Sequence, residues 1–197
     1  MIPSVIYKDI EACSLSLSER EAEMRLSVPR GFDVGFADDI KKELLSHISC
    51  KMAAIKVPVS ICGDLVDLGF CRVESENLAY ALASSREAFV FAITLGMGVD
   101  RLLARLSKTA VSALFIADAY ASAYAEAAAD RAQEILDSIS KTKKRFSPGY
   151  GDLPLDIQPR ILSALNAERL LGITLTDGLL MKPQKSVTAI VGTENEN

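Results

Sequence analysis

Tryptophan is absent, histidine occurs once, and aromatic residues make up only 6% of the chain. A core without many large rings must be built from aliphatic side chains and alanine. With 49% hydrophobic residues, this chain has enough of them. The four cysteines, Cys13, Cys50, Cys62 and Cys71, contain no Cys-x-x-Cys pair, and only His47 could join them. That spacing argues against a structural zinc site. Cys62 and Cys71 lie in strand-like stretches and read as buried thiols. Clustered basic residues are also lacking. The formal net charge is −4, and the one basic run, Lys141 to Arg145, is short and suits a solvated helix end. A nucleic-acid partner would need more positive surface. No stretch approaches the roughly 20 apolar residues of a membrane helix, and no basic segment followed by an apolar run opens the chain. The expectation is a cytoplasmic protein with reduced thiols and no membrane partner.

A length of 197 residues suits one domain with a loosely attached N-terminal part. Residues 1–30 read as an arm with some strand, residues 31–192 as the domain, and residues 193–197 as a frayed polar tail. Phe36, Ile40, Leu44 and Ile48 recur every four residues, which predicts a helix from Asp33 to Met52. Ala54 to Ile61 is rich in Val and Ile and predicts a strand, with Pro58 suggesting a sheet edge. Gly63-Asp64 is a turn, and Leu65 to Leu68 returns as a hairpin. Ser75 reads as the N-cap of a short helix ending near Ser84.

Ala88 to Leu95 is a continuous apolar run, the pattern of a buried central strand. A helix over Val99 to Leu106 follows, and then a long alanine-rich helix from Lys108 to about Lys141. Pro148, Gly149, Gly151 and Pro154 force a loop between Arg145 and Pro154. Asp156 is placed to cap a helix from Ile157 to Leu171, which Gly172 ends. Ile173 to Thr176 and Val187 to Val191 are strand candidates. This order of elements is not a βαβ alternation, so the class is α+β: a mixed or antiparallel twisted sheet with flanking helices.

Three segments have chemical potential. Gly96-Met97-Gly98 joins a strand to a helix, as a dinucleotide-binding turn would, but the third glycine of that fingerprint falls at Arg101. A plain strand-to-helix turn explains it as well. Asp118, Ser122 and Glu126 lie four apart on the long helix. They form either a solvated face or a ridge that offers a carboxylate to a cationic ligand group. Arg145-Phe146-Ser147-Pro148-Gly149-Tyr150 packs a guanidinium, a rigid turn and a phenol into six residues. By composition it is either a surface turn or a ligand loop. As a ligand loop, Arg145 would hold a carboxylate bidentately, the turn would present free backbone groups to a flat heterocycle, and Tyr150 would close over the ligand.

Read with the segments around it, this loop resembles the activation domain of cobalamin-dependent methionine synthase. That family carries an Arg-x-x-x-Gly-Tyr loop, a helix, a Leu-Thr-Glu-Ser-like segment and a Pro-x-x-Ser-Val strand. The matching residues are Arg145, Gly149 and Tyr150; then Leu175, Thr176 and Asp177; then Pro183, Ser186 and Val187. Upstream, Ala92 to Asp100 matches a segment of stand-alone relatives. The resemblance spans residues 36–192 and is best over 88–192.

It implies a protein that brings S-adenosylmethionine to an oxidised corrinoid, cob(II)alamin, for reductive remethylation. Arg145 would bind the methionine carboxylate, the backbone around Ser147, Pro148 and Gly149 would meet the adenine, and Tyr150 would line the site. No acid, base or catalytic residue of the chain is implied, because the sulfonium is already a good leaving group. The family's ligand-side glutamate on the long helix aligns with Ser122, which points to Glu126, one turn on, as its substitute. The full-length enzymes also continue past the Pro-x-x-Ser-Val strand to another ligand-side tyrosine. Here the pocket would be weaker, or finished by a partner. The implied partners are a cobalamin-dependent methionine synthase lacking its own activation domain, or another corrinoid protein, with a flavodoxin or ferredoxin as electron donor. A non-catalytic S-adenosylmethionine sensor or a scaffold that has lost the ligand are the alternatives.

Overall fold

The computed structural model describes residues 4–17 and 34–194. Four antiparallel strands form the main sheet, in the order β1 (Ile6–Ile10), β2 (Cys50–Pro58), β6 (Glu87–Thr94), β9 (Ser186–Gly192). The apolar run of the central strand β6 is explained by the period of two along a pleated chain. Phe89, Phe91 and Ile93 point into one core, and Ala88, Val90 and Ala92 into another. Strand β2 divides in the same way: Met52 and Ala54 face the first core, Ala53, Ile55 and Val57 the second.

The first core is closed by three helices, α1 (Val34–His47), α3 (Met97–Thr109) and α4 (Val111–Asp137). With 27 residues, α4 runs about 40 Å along the sheet. Its buried face is mostly alanine: Ala113, Ala117, Ala121, Ala128, Ala129 and Ala132. Small side chains let the helix backbone lie close over the sheet, and the large residues come from β6. Opposite lies the second core, under α2 (Glu76–Ala81), α5 (Gln158–Ala164), α6 (Ala167–Leu171) and a small sheet of β3 (Ser60–Cys62), β4 (Leu65–Asp67) and β5 (Arg72–Glu74). A two-stranded ribbon, β7 (Thr174–Leu175) and β8 (Met181–Lys182), completes the α+β fold.

Several elements differ from their sequence reading. Helix α1 stops at His47, and Cys50 to Met52 join β2, where all three pair with β1 and Lys51 and Met52 also pair with β6. Ladder pairing on two sides outweighs the continued helical spacing of Ile48. Strand β2 is therefore internal, not an edge. Pro58 is tolerated because it lies beyond Ala54, the last β2 residue that β1 reaches. Cys62 is exposed, since all of the short β3 strand is, whereas Cys50 and Cys71 are buried. Burial pushes their thiols up, to about 12 for Cys50 and about 11 for Cys71, so both stay protonated and inert.

The helix predicted over Ile157 to Leu171 is two short ones, because Asn166 adopts a left-handed conformation between them. Asp156 lies inside a 3-10 turn and is not the cap. Strand β9 carries its pairing into the tail: Thr193 is buried and bridges to Thr142. The proposed arm contributes β1, while residues 18–33 and 195–197 lie outside the described residues.

The Gly96-Met97-Gly98 turn has a packing reason for its glycines. Gly96 caps α3 at φ 86. A Cβ on Gly98 would sit 2.3 Å from the backbone oxygen of His47, where α1 ends. Crossing backbones, rather than a phosphate, require the small residue. Gly98→Ala should therefore melt lower, by about 1–3 kcal/mol of overpacking, despite the better helix propensity of alanine. Gly178→Ala, whose Cβ would meet nothing closer than 3.9 Å, is the control and should hold its stability. Urea titrations of both variants test this; a Gly98→Ala protein as stable as the parent would refute the crossing-backbone argument.

Candidate functional site

Past α4, the chain runs extended along the free side of β9. Lys143 N–H donates to Gly192 O at 2.8 Å, and Phe146 and Ile190 exchange both backbone hydrogen bonds at 2.8 Å. Alternation along this extended segment sends neighbouring side chains to opposite faces. Phe146 packs on the second core, and Arg145 turns toward α4. There, Arg145 Nη2 lies 3.2 Å from Glu126 Oε2 and Nη1 lies 2.5 Å from Asp130 Oδ1. The side chain of Arg145 is only 24% exposed.

The ridge on α4 therefore faces protein as well as water, and two cations from distant segments clamp it. Arg145 takes its C-terminal half. Lys185 takes the other half, with Nζ 2.7 Å from Asp118 Oδ1 and donating to Ser122 Oγ at 2.9 Å. Lys185 is itself held by its backbone: its carbonyl accepts from Leu95 N–H at 2.9 Å. Next to it, Gln184 N–H donates to the Asp100 carboxylate at 2.9 Å, in the first turn of α3.

Between the Arg145 loop, the β7–β8 turn and the start of β9 lies an open groove of about 1070 Å³. Glu126, Arg145, Ser147, Pro148 and Tyr150 line it, so the structure gathers these candidates around one space. Gly149 does not line it. It supplies the turn instead, at φ 85. The expected free backbone donors are partly committed, since Gly149 N–H bonds Leu153 O at 2.9 Å and Tyr150 N–H bonds Ser147 O at 3.2 Å. Tyr150 is 66% exposed and stands at the rim. Opposite elements add Thr176, Leu179, Leu180 and Met181, with Gln158 and Thr188 from the second-core side. Leu179 has φ 61, a left-handed backbone that bulky residues rarely hold.

The groove combines a cation for an acidic group, apolar surface for a flat ring system, and hydroxyl and amide side chains for orientation. No family model matches the sequence, and no curated protein matches it. Among solved structures, the crystal structure of the MetH reactivation domain bound to AdoHcy aligns with a TM-score of 0.73. The alignment covers 99% of this chain and 80% of that one, at 15% identity. The fold is that of the methionine synthase reactivation domain.

Within this reactivation fold, some groove residues were not legible as such in the sequence. Asp130, which pairs with Arg145 without lining the groove, was within reach of it: the four-residue step from Asp118 through Ser122 to Glu126, taken once more, arrives there. Lys185 and Leu179 gave no such signal, because each meets the groove through a turn remote from the loop, and Gln158 gave none because it reads as part of a helix's first turn. Asp152 is a further case. Its carboxylate accepts from Ser75 Oγ at 2.5 Å and from Glu76 N–H at 2.7 Å, at the start of α2. Ser75 caps that helix as predicted, accepting from Leu78 N–H at 3.0 Å. The Arg145–Pro154 loop is thus pinned to a helix terminus on the far core.

Those donors, the Ser75 hydroxyl foremost, hold the Asp152 carboxyl below the usual aspartate range. A lowered folded value means that its stabilisation is complete above the unfolded value and is lost as pH falls through the folded one. Asp152→Asn should therefore melt below the parent at pH 7, and the gap should close as pH is lowered through the acid range below 3.8. Thermal denaturation of both proteins across pH 7 to about 2 checks this. A gap that persists unchanged at the acid end contradicts it.

Proposed function

We propose that this chain binds S-adenosylmethionine in the groove beside Arg145 and serves as an activation subunit for the reductive remethylation of cob(II)alamin held by a partner. The observation that carries the reading is the coincidence of the Arg145–Tyr150 loop with an open groove in a fold whose solved neighbour is bound to AdoHcy. AdoHcy is S-adenosylmethionine without its methyl group, so a site for one suits the other.

The residues fit such a ligand. Arg145 offers a guanidinium to the amino-acid carboxylate, and Glu126 offers a carboxylate to the ammonium or sulfonium. Pro148, Leu179 and Leu180 offer apolar surface to the adenine, with Ser147 and Tyr150 beside it. When bound, S-adenosylmethionine supplies a methyl group on a good leaving group, and an electron from a flavodoxin or ferredoxin completes the balance. The chain itself then needs to orient the ligand and shield it. Positioning alone is worth several kcal/mol in effective molarity, roughly 7 or more in well-aligned cases. The partner would be a methionine synthase lacking its own activation domain or another corrinoid protein, met transiently and with modest affinity.

Arg145→Ala should weaken S-adenosylmethionine binding about tenfold or somewhat more, read by titration calorimetry. A hydrogen bond to a charged group contributes roughly 1.5–3 kcal/mol. The lower part of that range applies here, because Arg145 is already paired with two protein carboxylates, at least one of which the ligand must displace. Glu126→Gln should weaken binding, and Asp118→Asn should leave it nearly unchanged, since Asp118 is engaged with Lys185. The reverse ranking would reject Glu126 as the ligand's carboxylate.

The function itself is tested by mixing the protein with a cob(II)alamin-loaded methyltransferase, a low-potential reductant and methyl-labelled S-adenosylmethionine. Label should reach the corrinoid only when every component is present. Binding of S-adenosylmethionine without transfer to any corrinoid protein of the same cell would favour the sensor reading instead.

A further inference from the structure

We infer that Asp130 is a built-in competitor for the ligand's carboxylate at Arg145. The inference rests on Arg145 taking that carboxylate, as proposed above. A guanidinium binds a carboxylate best through two parallel N–H groups presented as a fork. Here that fork is divided. Nη1 is on Asp130 at 2.5 Å, and Nη2 is on Glu126 at 3.2 Å. A carboxylate binding this fork competes with both helix acids, and at least one must let go.

Position decides which one. Glu126 lines the groove and would remain beside the ligand. Asp130 lies one turn further along α4, is not among the residues that line the groove, and has a side chain 63% exposed against 45% for Glu126. Released, Asp130 enters water at once and is hydrated. Glu126, kept in the groove, can hold Arg145 and face the ligand's ammonium or sulfonium at the same time. Asp130 therefore leaves at lower cost, and binding exchanges one carboxylate for another at constant local charge.

Two consequences follow from that exchange. Without ligand, Asp130 keeps Arg145 extended against α4, so the clamp is already oriented. The affinity for any ligand is also lowered by the strength of the contact that it displaces. Only a ligand with its own carboxylate can make the exchange. Asp130 thus weakens carboxylate-bearing ligands selectively and leaves adenosyl sulfonium compounds that lack the carboxylate unaffected.

Calorimetry of wild type and Asp130→Asn, with S-adenosylmethionine and with its decarboxylated form, tests the inference. Asparagine keeps the shape and removes the charge. S-adenosylmethionine should bind the variant about two- to fivefold tighter, the worth of a largely exposed ion pair. The decarboxylated ligand should show no gain. Equal or weaker binding of S-adenosylmethionine by the variant overturns the inference and makes Asp130 a support for Arg145. An equal gain for both ligands also overturns it, because the effect would then not be a contest for the fork. Absence of binding by wild type and variant alike defeats the underlying ligand assignment, and the inference with it, which separates the two failures.

Discussion

Burial of β6 on both faces is the constraint on which the rest depends. A strand whose successive side chains enter two different cores needs a cover on each side: loss of the first would expose Phe89 and Phe91 to water, and loss of the second would expose Val90 with Ile55 of β2. Removing one such ring typically costs about 3–5 kcal/mol. The two covers differ in kind. One is a layer of helices in which alanine allows close approach. The other is an assembly of short helices, hairpin and loop. The candidate groove forms where these two covers meet beyond β9, the strand next to β6.

That location explains why the Arg145 loop is ordered by contacts on both sides. Its start is laced to β9, its arginine reaches α4 over the first core, and Asp152 at its far end caps α2 over the second. A loop fixed at three points loses less entropy when a ligand arrives than a free one would, which is the physical content of preorganisation. The charges follow a similar economy of placement. Lys185 and Arg145 arrive from different segments; Arg145 meets two acids that α4 presents four residues apart, and Lys185 meets Asp118 and Ser122, also four apart. Their attraction draws three remote parts of the chain together around the groove. The pairs also keep that wall nearly neutral until something displaces a partner.

The elements most legible in the sequence were those whose signal is local. The apolar run of β6, the hairpin turn at Gly63-Asp64, the Ser75 cap and the Pro- and Gly-rich loop are each written in a few consecutive residues, and all four are present. Misreadings arose where distant pairing overrode a local pattern. The stretch from Ile48 to Met52 continued a helical spacing, yet its backbone was needed by two neighbouring strands. Cys62 had the composition of a core strand but lies in one whose three residues are all exposed. Around the groove, the loop residues could be picked out by their chemistry. Lys185 and Leu179 could not, since a lysine or leucine near a short strand is ordinary until a partner is brought to it.

By itself the sequence determined the α+β class, the two-faced central strand, the alanine-rich helix and the clustering of a guanidinium, a rigid turn and a phenol. Each depends on periodicity, propensity or backbone restriction within a few residues, and those act before the chain is compact. Only the tertiary structure decided what Arg145 meets. Its charge lies 15 and 19 residues along the chain from Asp130 and Glu126 and further still from β9, and no local rule specifies that an extended segment beside β9 will turn this side chain toward Glu126 and Asp130. Ion-pair geometry is set by where packed elements come to rest, and packing of this kind exists only once both cores have closed.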